Sequence, residues 1–177
     1  IKIELHARVA ERLPIVDRDI SARIFAPRPA AGLNRYPSIA ALMLHLLTHA
    51  AGAMCFNAAR LLHLHDIALL SRRMTETDWE ELFSAGDDQV TWWVSPPLQL
   101  TARYYATPIP SAITARAAAN CPWLLRQIFR HRTLSSVSLS NLRIQAFPGI
   151  EWSQSPQEAL AHMMSRVKPD RTVLLGR

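Results

Sequence analysis

Glycine is scarce in this sequence of 177 residues: five glycines stand against twelve prolines. That balance argues against a Gly-rich phosphate-cradling loop and predicts helices separated by proline-marked breaks. Cysteine is scarcer still, and Cys55 and Cys121 lie far apart without CxxC spacing. They build neither a disulfide framework nor a zinc site, so the expected setting is a reducing cytoplasm. Long apolar runs are also missing. The longest, Ile39 to Phe56, carries His45 and His49 and falls short of the roughly 20 residues a membrane span needs. It is predicted to be a buried helix.

What is present is an ordinary globular composition, 49% hydrophobic and 19% charged, in a chain long enough to bury a core. The formal net charge is +6, nearly all of the basic residues being arginine. Such a balance permits an acidic partner, a nucleotide for example. The arginines are scattered, with no aromatic-interleaved stripe, which argues against nucleic acid. Ile1-Lys2-Ile3-Glu4-Leu5-His6 alternates as a strand from its first residue, and a lone strand needs a partner. The expectation is that its neighbours lie upstream or in another chain.

The remaining pattern is helical. Ala7 to Leu13 reads as a short helix or a continued strand, and 27–37, with three prolines, as a loop. Ser38 is the expected N-cap of a helix over 39–51 ended by Gly52, and Asn57 the cap of a helix over 58–73. Thr77-Asp78-Trp79-Glu80 matches a capping box and opens a helix to about Ala85. Further helices are expected over 90–105, restarted at Pro96-Pro97, and over 109–119 and 122–131. Alternation predicts short strands over 135–140 and 142–147, and a final helix over 156–167. The fold class is mainly α (α+β): antiparallel helix hairpins with an N-terminal strand.

Histidines and one carboxylate supply the chemistry. His45 and His49 share a face of one predicted helix; His63, His65 and Asp66 follow on the next. If the hairpin turns near Met54, a rise of about 1.5 Å per residue sets His45 level with His63 and Asp66, a weak candidate metal set. His49 falls nearer the turn, beside Asn57 and Arg60. The His65-Asp66 dipeptide, with a histidine one helix earlier, resembles the HD phosphohydrolases, which implies metal-dependent hydrolysis as an alternative function. Asp17 and Asp19, two apart, could share a metal if they lay on a strand, but no glycine turn precedes them, and solvated loop charges are expected. Cys55 lies near the histidines in an apolar setting that discounts it as a nucleophile. Trp123 to Phe129, flanked by Arg126, Arg130 and Arg132, forms a basic amphipathic helix of the kind that either packs on its own domain or meets a membrane.

Several stretches in succession resemble an uncharacterised bacterial nucleotidyltransferase family. Ile3-Glu4-Leu5-His6 is similar to its "velH" strand, and Leu42 to His49 to its helix ending in histidine. Arg60 to Leu70 resembles its "RLxxLxDlaLL" helix, Asp78-Trp79-Glu80-Glu81-Leu82 its "dWeeL" helix start, and Pro108-Ile109-Pro110 the close of that region. The resemblance implies Mg²⁺-dependent transfer of a nucleotide from an NTP to an acceptor. A Gly-Gly or Gly-Ser turn and an Asp-x-Asp strand bind these ligands in that superfamily, and a later strand adds a third carboxylate. Only the later strand is recognised in this sequence, so Glu4 is the position matching that third carboxylate, and this chain by itself is expected to be inactive. His49, Arg60 and Asp66 fall at recurrent family positions, Arg60 implied as a phosphate contact and Asp66 as an anchor of the hairpin. The implied organisation is 1–13 as the last strand of a catalytic sheet plus linker, 37–132 as a helical domain, and 133–177 as an irregular C-terminal region. The implied partners are an upstream catalytic segment or a partner chain; the alternative without catalysis is a helical binding module.

Overall fold

A computed structural model describes residues 8–25, 36–84, 92–106, 109–139 and 147–167. The protein is mainly helical, as the sequence predicts. Two short strands, β1 (Ala10–Arg12) and β2 (Asp17–Asp19), pair antiparallel with Ala10 opposite Asp19. Of the two readings offered for this stretch, the structure takes the strand at Ala10–Arg12. Asp17-Arg18-Asp19 is a strand and not a loop, although its carboxylates are solvated as expected. The opening strand, 1–6, lies outside the described residues.

After a single helical turn, α1 (Ser21–Ile24), comes the longest helix, α2 (Ile39–Cys55). Ser38 caps it, its hydroxyl accepting the Ala41 N–H at 3.1 Å. Eleven residues of α2 are buried. The next four helices are α3 (Leu61–Ser71), α4 (Glu76–Ser84), α5 (Ser95–Tyr104) and α6 (Ser111–Ala119). Two more, α7 (Trp123–Phe129) and α8 (Pro156–Val167), complete the order. Helices α3, α4 and α5, the hairpin and α1 all pack on α2. Its alanines and Gly52 let them approach closely. One polar pair is sealed within this core: the Thr48 hydroxyl donates to Leu44 O and accepts the Trp93 indole N–H at 3.2 Å. Satisfying both partners avoids the cost of burying a lone hydroxyl.

Several predicted boundaries shift, each for a local reason. Gly52 does not end α2; the helix runs on to Cys55, and Asn57 supplies the left-handed residue (φ 55°) that terminates it. Asn57 therefore closes one helix and does not cap the next. Residues 58–60 are not helical, Ala59 N–H bonds to Val137 O, and α3 starts at Leu61. The capping box of α4 sits two residues early: Thr75 N–H donates to Asp78 Oδ2 at 2.7 Å, and Asp78 N–H returns to Thr75 Oγ1. Pro96 and Pro97 occupy the first turn of α5, where a missing N–H leaves no helical bond unmade.

The expected strand at 135–140 is instead a 3-10 turn, Ser135–Val137. Ser136 Oγ donates to Thr133 O and accepts from Thr133 N–H, so local side-chain bonds displace the extended backbone. The expected strand at 142–147 falls mostly outside the described residues. The division at 132 does not divide the core. Trp152, on the turn Ile150–Trp152, lies fully buried against Trp92 and Phe129, at ring distances of 6.1 and 5.6 Å. The preceding Gly149 is required twice over: its φ is +87°, and a Cβ there would lie 2.9 Å from Cys55 Sγ.

The arginines have a structural use that composition hides. Arg23 donates to Leu82 O and Arg116 to Phe83 O, both near the end of α4. Arg126 donates to Ala118 O at the end of α6. Arg103, on α5, donates to the carbonyls of Phe129, Arg130 and Arg132 at and just past the end of α7. Helix C-termini carry orphan carbonyls and partial negative charge, and a guanidinium from another helix answers both. Arg103→Ala is expected to lower unfolding free energy by about 1–3 kcal/mol in urea titration, for charge-assisted bonds that are partly solvated. Arg103→Lys should restore less than half of that loss, because a point ammonium does not span three carbonyls.

Candidate functional site

The site forms where the hairpin meets the α2–α3 pair. Glu11, on β1, lays its carboxylate on Gly52, so closely that a Cβ at Gly52 would stand 2.2 Å from Glu11 Oε2. That is why a glycine persists inside α2. The other oxygen, Oε1, lies 3.0 Å from His49 Nδ1. An ionised carboxylate only accepts, so Nδ1 carries the proton and Nε2 becomes the basic nitrogen of the neutral ring. His49 is well exposed and Glu11 mostly covered, with side-chain exposures of 59% and 26%.

His63 stands edge-on to His49, with ring centroids 5.1 Å apart. It lies in the first turn of α3, and its Nδ1 accepts the backbone N–H of Arg60 at 3.3 Å. That bond closes half of a capping arrangement and leaves the His63 proton on Nε2. Burial lowers the His63 pKa below the ordinary histidine value, with the charges of His49 and Arg60 adding to the effect. Asp66 and Glu11 pull the other way and do not prevail. The surroundings of His63 thus favour its neutral form.

The sequence placed these residues partly wrongly. His49, not His45, is the histidine beside His63. His45 instead meets the Tyr36 hydroxyl, at 2.5 Å from Nδ1. His65 lies against the ring of Tyr105 at 5.9 Å. Two of the histidines that the metal readings drew on, His45 and His65, thus contact tyrosines. Among the described residues, no group of three or more His, Cys, Asp or Glu side chains is arranged to hold a metal ion; His45, expected level with His63 and Asp66, lies against Tyr36. The level assigned to His45 assumed a hairpin turning at Met54, whereas α2 continues to Cys55 and α3 starts only at Leu61. Glu4 lies outside the described residues. Nothing in the sequence marks Glu11, since only the fold of the β1–β2 hairpin onto α2 brings it to His49.

Asp17 and Asp19 do share a face, bridged by the Arg8 guanidinium at 3.4 and 2.7 Å. Hydrogen bonding from Ser21, and then from Arg8, pulls the Asp19 pKa down to about 2. A cation is therefore already in place between them, supplied by the protein. Cys55 is buried, and burial pushes its thiol far above the ordinary range; Cys121 is pushed up to about 11. Both thiols are free and stay protonated at neutral pH. Compared with protein-family models, curated proteins and solved structures, the chain matches none.

His63 gives the site a pH signature. Its folded pKa lies below the unfolded value of 6.5, so the unfolded chain binds the proton more readily. The stabilisation is fully present above about pH 6.5 and is lost as the pH falls toward the folded pKa. Urea midpoints measured across this range should fall with acidity, and His63→Gln should flatten the part of the slope nearest pH 6. An unchanged slope in that variant would show that His63 is not depressed.

Proposed function

We propose that this chain is the helical region of a nucleotidyltransferase-like protein, in which Glu11, His49, His63 and Arg60 form the wall facing the phosphates or the acceptor. One observation carries this reading. His49 and Arg60, which both resemble recurrent family positions, converge on His63 beside β1. Only Ala7 to Val9 separate β1 from Ile3–His6, the segment resembling the last strand of the catalytic sheet. A sheet supplied by an upstream segment or a partner chain would come up against this cluster.

Each residue then has a role its chemistry suits. Arg60 offers a permanent cation to phosphate oxygens. His49, oriented by Glu11, holds or accepts a proton at Nε2, as an acceptor hydroxyl requires on attack. His63 stays neutral and packs the reactive ring in place, and Asp66, one turn further along α3, supports the charge balance around it. Mg²⁺ demands several hard oxygen ligands. The cluster provides one carboxylate with two imidazoles, and the Asp17–Asp19 pair is bridged by Arg8. The described residues do not fit Mg²⁺, so the metal and the triphosphate belong with carboxylates of the catalytic sheet, Glu4 being the position in this sequence that resembles one.

The test is incorporation of labelled nucleotide with Mg²⁺ present. The chain beginning at Ile1 is expected to show none, and the protein extended upstream or joined by its catalytic partner to be active. In the active form, His49→Ala should lower the rate about 10²-fold or more, and Arg60→Ala about tenfold, chiefly through KM. Incorporation by the chain alone, or full activity in His49→Ala, would falsify the assignment.

A further inference from the structure

Acidic residues are missing from one continuous stretch. Between Asp88 and Glu151 the sequence has no aspartate or glutamate, yet it has Arg103, Arg116, Arg126, Arg130, Arg132 and Arg143. The whole chain has 20 basic and 14 acidic residues, so these six arginines leave 14 of each elsewhere. The entire formal charge of +6 thus belongs to the segment that builds α5, α6 and α7.

Four of these guanidinium groups, on Arg103, Arg116, Arg126 and Arg132, donate to backbone carbonyls, and Arg132 is also paired with Glu151 at 3.4 Å. Carbonyls occupy the donors without cancelling the charge. The result is a broad positive field, with fewer donors left to grip individual phosphates. Helix α6 and helix α7 both pack on α5, so the arginines of this segment belong to one helix group.

Helix α7 adds an apolar tip. Leu125 and Phe129 are buried, whereas Trp123 is 66% exposed and Leu124 is 46% exposed. Arg130, also exposed, follows Trp123 by seven residues and lies on the same face at the helical period. The contrast with the other tryptophans is sharp: Trp79, Trp92, Trp93 and Trp152 are each 2% exposed or less.

We propose that the α7 corner docks on an anionic lipid bilayer. Trp123 and Leu124 enter the boundary between headgroups and acyl chains, while Arg130 and the acid-free α5–α7 segment attract the headgroups. Among the described residues no helix is long and apolar enough to cross a membrane, so the contact is peripheral. A single-stranded nucleic acid is the competing anionic partner. It would use an aromatic for stacking, but gains nothing from the adjacent aliphatic Leu124 and needs the donors already given to carbonyls.

Tryptophan quenching by acrylamide tests this directly, because Trp123 is the one indole of the five that the quencher reaches. Phosphatidylcholine vesicles containing phosphatidylserine should bind the chain and protect Trp123. Vesicles of phosphatidylcholine alone should protect it much less, and added salt should reverse the protection. Trp123→Ala combined with Leu124→Ala should weaken vesicle binding about tenfold, and Arg130→Glu, which leaves the apolar tip intact, about fivefold or more. Circular dichroism confirms that each variant is folded. Equal binding to both vesicle types, quenching of Trp123 that vesicles leave unchanged, or protection by an oligonucleotide but not by vesicles each overturns the proposal.

Discussion

Helix α2 is packed on by α3, α4, α5, the β1–β2 hairpin and the turn Ser135–Val137, and those contacts depend on the small side chains it offers them. Ala40, Ala41, Ala50 and Ala51 are all buried, interleaved with Met43, Leu44, Leu47 and Met54. A helix surrounded this way cannot satisfy polar groups with water. Its one buried hydroxyl is therefore bonded twice, to Leu44 O and to the Trp93 indole. His49 and Glu11 mark the place where the packing opens to solvent.

The charge distribution follows from the same crowding. Short helices packed on a common centre leave many C-termini near neighbouring helices, and each brings orphan carbonyls. Arginine reaches them from α1, α5, α6 and α7 with a forked donor set that lysine lacks. Part of the arginine excess is thus internal bracing. The segment that builds α5–α7 has no carboxylate of its own, its Arg132 being paired with Glu151 from the turn beyond it, and this couples the bracing to the surface that we propose meets lipid.

The polar cluster at Glu11, His49 and His63 sits where three elements meet, two helices and a strand. Its geometry relies on close approach. Without the missing side chain at Gly52, the Glu11 carboxylate can lie across α2 and reach His49. The arrangement separates two chemically identical rings: burial, with the charges of His49 and Arg60, lowers the His63 pKa, while Glu11 orients the exposed His49. Environment, not residue type, assigns the roles.

The amphipathic and apolar periodicities made the helical class legible, including α2 as a buried helix and α8 over 156–167. Proline positions marked the starts of α5 and α7. These signals are local: hydrogen-bond spacing, side-chain period and a missing N–H act within a turn or two of chain. Boundaries were less legible, as at Gly52, Asn57 and Thr77, because each residue type suits two neighbouring roles and packing chooses between them. His49, Arg60 and Asp66 were candidates by resemblance and His63 by its helical face, but the sequence did not give which of them meet in space. The separation of His49 from His45, and the arrival of Glu11, turned on where α2 ends and how a hairpin folds onto it. Composition and local pattern determined that this chain would be helical, arginine-rich and histidine-bearing. Only tertiary structure decided which histidine meets which carboxylate, because those contacts span 38 residues for Glu11 and His49 and are set by packing that no local period encodes.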